Sequence, residues 1–132
     1  MRLVAALGAG QNKSSDLVLS ALVRARYCEL LGPRIPHGES DLFLVGLFSL
    51  MDAILELPMG VVLEGISFDH ETRAVLLGQA SQLDPIYRLM LAQETANWDR
   101  VSELCTQLKL PESHVTECHW KAMQWAREMT AG

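Results

Sequence analysis

Cysteine is scarce in this 132-residue chain, and the three present, Cys28, Cys105 and Cys118, lie far apart. No CxxC pair occurs, so neither a disulfide framework nor a zinc knuckle is written in the spacing. An odd count would leave one thiol unpaired in an oxidising compartment, so a reducing cytoplasm is the expected setting. Aromatic residues make up only 6% of the chain. The apolar content is mostly Leu, Ala, Val and Met, which favours helix over strand. Basic residues are outnumbered, 11 against 16 acids, for a net charge of −5. Duplex nucleic acid and anionic membranes attract basic surfaces, so neither is the expected partner. HExxH, GxGxxG and P-loop patterns are absent, and no Ser or Cys stands in a recognisable nucleophile setting.

A long apolar run is present, DLFLVGLFSLMDAILELP at 41–58. It is too short for a membrane: helix from Leu42 to Leu57 would rise about 24 Å, against roughly 30 Å of hydrocarbon. Asp52 would also be stranded in lipid. Gly46, Ser49 and Ala53 make a stripe of small residues that admits a neighbouring helix closely. The run therefore reads as a central helix of a soluble bundle, walled in by other helices.

The remaining segments supply those walls. MRLVAALGAG reads as a helix entering the domain rather than a signal peptide. Ser14, Ser15 and Asp16 are N-cap candidates for LVLSALVRARYCELL, which Gly32 and Pro33 end. GPRIPHGES is a loop, Ser40 or Asp41 caps the apolar run, and Pro58 stops it. PMGVVLEGI is a short amphipathic turn or helix. Asp69 caps HETRAVLLG, which Gly78 closes. A further helix starts near Asp84 with Pro85 in its first turn. NWDRVSELCTQLKL places Val101, Leu104, Cys105 and Leu108 on one face. The last helix carries an inner stripe of Val115, Cys118, Ala122, Trp125 and Met129. No strand alternation appears, so the expected fold is all-α: one compact helical domain over 1–132 with about six or seven helices.

Chemistry is thin in these helices. His37 lies in the Pro/Gly loop and His70 in a first turn, while His114 and Cys118 share a face and could clip a transition metal. No second pair completes four ligands, so a structural role for His114 is preferred, with no catalytic, metal or cofactor residues expected. The ionic residues say more. Arg24 and Arg26 interrupt an apolar helix, Glu29 follows Arg26 by three, and Asp52 and Glu56 are four apart. With antiparallel packing an arginine reaches Asp52 as a bidentate pair that fixes helix docking. The alternative is that these charges face solvent and pair weakly.

The order of LVLSALVRARYCELLG (17–32), DLFLVGLFSLMDAILELPMGVVLEGI (41–66) and DHETRAVLLG (69–78) resembles the C-terminal part of an HDOD domain, the HD-related output domain. YRLMLAQETANWDRVSELCTQLKL (87–110) and HWKAMQWA (119–126) continue the resemblance over nearly the whole chain. It is most similar to the version that follows EAL domains in bacterial cyclic-di-GMP signalling proteins. RARYCELLG and GLFSLMDAILELP are the most specific stretches. The resemblance implies an HD-like helical fold without metal ligands, and a non-enzymatic regulatory module that works by protein interaction. The absence of any His-Asp dipeptide agrees. The rival expectation is a fragment of a degenerate or split HD-type metal-dependent phosphohydrolase. The resemblance also implies a missing upstream part, which would uncover apolar surface around Leu3, Val4, Leu7 and the 41–58 helix. Self-association, as a homodimer, or a protein partner is expected to cover it.

Overall fold

The computed structural model describes residues 2–35 and 41–131, with side chains from position 15 onward. Leu3, Val4 and Leu7, expected at an uncovered face, lie outside the described side chains, and His37 and Ser40 outside the described residues. Among the described residues there are eight α-helices, one 3-10 turn and no strand. The all-α expectation holds, and the helix count differs because the 41–58 run is two helices.

Helix α1 spans Arg2–Leu31 without interruption. Ser14, Ser15 and Asp16 are therefore interior residues of a helix rather than caps. Their capping preference is a local bias that the continuing helix overrides. Gly32–Arg34 forms the 3-10 turn that ends it. Helix α2 (Leu42–Phe48) is capped by Asp41, whose carboxylate accepts from the Leu44 N–H at 3.3 Å. Helix α3 (Met51–Leu55) follows after a break at Ser49 and Leu50. At the break the Ser49 hydroxyl donates to the Gly46 carbonyl at 2.6 Å. Glu56 closes α3 in the left-handed conformation, and the Leu57 N–H reaches back to the Asp52 carbonyl at 3.0 Å. Pro58 thus begins the next element, α4 (Met59–Val62), instead of stopping the previous one.

Helix α5 (His70–Leu76) is capped by Asp69 and closed at Gly78, whose φ of +77° a glycine adopts without strain. Helix α6 (Asp84–Glu94) carries Pro85 in its first turn. Helix α7 (Trp98–Leu108) is capped by Asn97, and α8 runs from Glu112 to Ala131. The core is one cluster centred on Tyr27, Leu31, Leu63, Leu89, Leu104 and Val115. Helix α1 is its axis, packed along α2 and α8, with α6 against it and α7 behind α6.

The expected burial is corrected in two places. Ala53 and Leu55 are exposed, so only the first half of the 41–58 run is walled in. On α8 the inner stripe is Val115, Cys118, Ala122 and Ala126, while Met129 is exposed. Residue 129 returns to the same face at a period of 3.6, so its exposure comes from its place in the last turn of α8 and not from the periodicity. Among the described residues no helix is long and apolar enough to cross a membrane.

Candidate functional site

Few polar side chains enter the core, and one of them is charged. Arg24 is 8% exposed, midway along the described part of α1. A buried guanidinium is tolerated only where its donors are met. Its Nε–H and Nη2–H donate to the two carboxylate oxygens of Glu94 at 2.8 and 2.5 Å. Its Nη1–H donates to the Ser49 hydroxyl at 3.0 Å, whose own proton goes to Gly46. One arginine thus ties α1 to the start of the α2–α3 break and to the C-terminal turn of α6. Burial works against its charge, but the hydrogen bond and charge of Glu94 outweigh it and raise its pKa further.

The close approach that makes this possible is set by Gly46. A Cβ there would lie 2.4 Å from the Arg24 carbonyl carbon and oxygen and 2.5 Å from the Ala25 nitrogen. Helices α1 and α2 therefore touch backbone to backbone, which carries Ser49, one turn on, within reach of Arg24. Gly46 and Ser49 of the small-residue stripe are the contact; Ala53 is not part of it.

Asp52 was the expected arginine partner, and the structure gives that place to Glu94. The Asp52 carboxylate instead accepts from the Ala53 N–H at 2.9 Å. Arg26 pairs with Glu29 along α1 at 2.6 Å on the surface, and its guanidinium lies 5.6 Å from the Trp125 ring. Glu94 escaped the sequence reading because 70 residues separate it from Arg24. A signal was present, since Glu94 follows the buried Met90 by four and so shares its face.

Beside the ion pair lies a partly open cavity of about 250 Å³ between α1, α6 and α8. Arg24, Glu94, Tyr27, His119 and Arg127 contribute to its lining together with apolar side chains. Tyr27 meets His119 edge to face, with centroids 5.8 Å apart. Burial, with smaller contributions from Cys28, Cys105 and Cys118, raises the Tyr27 phenol pKa far above its usual value. Burial lowers the His119 pKa against the opposing pull of Glu94, so the ring is neutral at neutral pH.

The thiols are quiet. Burial pushes Cys28 up to about 12, with Arg24 opposing, and also raises Cys105 and Cys118. His114 Nε2 and Cys118 Sγ are 3.5 Å apart, as their shared face requires. Among the described residues no group of three or more His, Cys, Asp and Glu side chains is placed to hold a metal ion.

Two proteins are similar to this chain over most of its length. One is the uncharacterized protein YuxH of Bacillus subtilis, 28% identical over 121 residues that cover 91% of this chain and 29% of that protein. Another is the cyclic di-GMP phosphodiesterase CdgJ of Vibrio cholerae, 25% identical over 120 residues, 89% of this chain and 28% of that protein. The chain therefore spans less than a third of the length of either relative. No family model matches it, and no solved structure does. The chain is thus a helical bundle distantly similar to one segment of a cyclic-di-GMP signalling protein.

Proposed function

We propose that this chain is a regulatory module of the HDOD kind, which acts in cyclic-di-GMP signalling by binding protein in the cytoplasm and carries no catalysis of its own. The observation that carries the reading is the pattern of similarity: about nine-tenths of this chain matches under a third of a cyclic di-GMP phosphodiesterase. A piece of that size fits an accessory domain beside a catalytic one. The chemistry of the residues supports it. The buried arginine is engaged at all three nitrogens by internal partners, and burial raises the pKa of all three thiols.

The test has two arms. The purified chain is incubated with cyclic di-GMP and magnesium, manganese or iron, and the nucleotides are separated by chromatography; no linear dinucleotide is expected. The chain is then added in trans to a cyclic-di-GMP phosphodiesterase domain, where saturable binding and a changed hydrolysis rate are expected. Turnover by the chain alone with stoichiometric metal would replace this reading with a degenerate HD-type phosphohydrolase. Failure to bind or modulate in the second arm would remove the link to that signalling chemistry.

A further inference from the structure

The cavity between α1, α6 and α8 differs from the rest of the surface in three ways. Among the described residues its charge balance is positive on an acidic chain: Glu94 neutralises Arg24, leaving Arg127 as the unbalanced charge of the lining, against −5 for the whole. Two of its polar groups are left free of hydrogen bonds to other side chains. Among the described residues, neither ring nitrogen of His119 nor the guanidinium of Arg127 has a hydrogen-bond partner. His119 is only partly exposed, so its unmet N–H is a donor held at a cavity rather than on open surface. The walls between these groups are apolar and adaptable: Leu19 and Val23 on α1, Met90 on α6 and Met123 on α8. Methionine shapes itself to small apolar ligands more readily than branched side chains do.

We propose that this cavity binds a small amphipathic carboxylate, its head held by Arg127 and the His119 N–H and its apolar body lying against Met90 and Met123. Arg127 offers the planar fork that matches a carboxylate. The volume limits the ligand: about 250 Å³ lies below the range of roughly 300–1,000 Å³ usual for ligand pockets. A cyclic dinucleotide, with two bases and two phosphates, is too large to be enclosed. The ligand is therefore a different molecule from the nucleotide of the proposed pathway, and the inference stands whether or not the chain binds a protein.

The test uses the whole chain and octanoate as the probe, followed by amide chemical shifts and titration calorimetry. Saturable binding with a Kd on the order of 10⁻⁴ M is expected, with 1-octanol and octylamine at least about tenfold weaker. Arg127→Glu is expected to weaken octanoate by at least about tenfold. Arg127 is exposed and makes no side-chain bond, so this variant keeps the fold, which circular dichroism checks. Lys121→Gln, which removes only the surface pair with Glu117, is expected to leave binding unchanged. Absence of saturation up to about 10 mM overturns the proposal. So do equal affinity for the alcohol or the amine, unchanged binding in Arg127→Glu, and shifts that lie away from α1, α6 and α8.

Discussion

Replacing Gly46 by alanine tests the helix contact on which the buried arginine depends. The added methyl would sit 2.4 Å from the Arg24 carbonyl group and 2.5 Å from the Ala25 nitrogen. Ordinary contact begins near 3.4 Å, so α1 and α2 must part by about 1 Å. The obstacle is backbone, so no change of rotamer relieves it. Overpacking of this kind costs ~1–3 kcal/mol. The separation also stretches the 3.0 Å bond from Arg24 to Ser49, for a further ~1 kcal/mol. Alanine recovers ~1 kcal/mol through its better helix propensity. The net expectation is a loss of ~1–3 kcal/mol, or a fall in Tm of roughly 4–11 °C for a domain of this size. Urea unfolding followed by circular dichroism measures it. Gly60 is the control: it too lies in a helix, α4, but a Cβ there meets nothing within 4 Å. Gly60→Ala is therefore expected to be neutral or to stabilise by up to ~1 kcal/mol. The reasoning is refuted if Gly46→Ala unfolds within ~0.5 kcal/mol of the parent, or if the two variants lose stability equally.

Glu94→Gln keeps the shape of the ion pair and removes its charge; a loss of ~1–2 kcal/mol is expected by urea unfolding, held down because Glu94 is 38% exposed. The same change combined with Arg24→Met is expected to cost less than the two singles summed, which a double-mutant cycle reads. Ala96 and Lys109 hold left-handed φ of +57° and +59°, so Ala96→Gly or Lys109→Gly is expected to raise stability by ~0.5–1 kcal/mol in chemical denaturation. The His119 pKa is lowered in the fold, so at mildly acidic pH the unfolded chain binds the extra proton first. Stability is then fully present above about pH 6.5 and falls as the pH drops below it, a slope that His119→Gln is expected to flatten in melts taken from pH 7.5 to 5. With the Cys28 thiol near 12, iodoacetamide at pH 8 is expected to label it more than a thousandfold more slowly than a free thiol, and at the ordinary rate in urea.

Much of the bundle was legible because its signals are local. Asp41 and Asp69 cap where short acceptors precede apolar runs, and Pro85 falls in a first turn where its missing N–H costs nothing. The illegible boundaries share one physical form. At Glu56, Ala96 and Lys109 the chain turns left-handed on a residue that carries a Cβ, and the following N–H bonds five residues back, as at Leu57, Asn97 and Leu110. Gly78 does the same and was readable, because glycine announces the conformation. The other three turns are held by the packing on either side, which a local pattern does not contain.

The site divides along the same line. That an arginine in RARYCELLG must be paired follows from burial alone, and so does the need for small residues where two helices cross. Which acid answers it does not. Asp52 is close to Ser49 in sequence and looked eligible on an unbroken helix. The helix breaks at Ser49 and Leu50, leaving Asp52 on α3 with its carboxylate turned to the Ala53 N–H. Ser49 itself then supplies the contact from this segment, as a hydroxyl too weak to balance a charge alone. The carboxylate has to come from another element, and α6 packs against α1 with its C-terminal turn at the right height. The same choice leaves Glu94 in the lining that His119 and Arg127 share, so the pair that locks the bundle also sets the charge of that cavity. A change at Glu94 is thereby expected to move both stability and the affinity of that cavity for anions, in opposite directions.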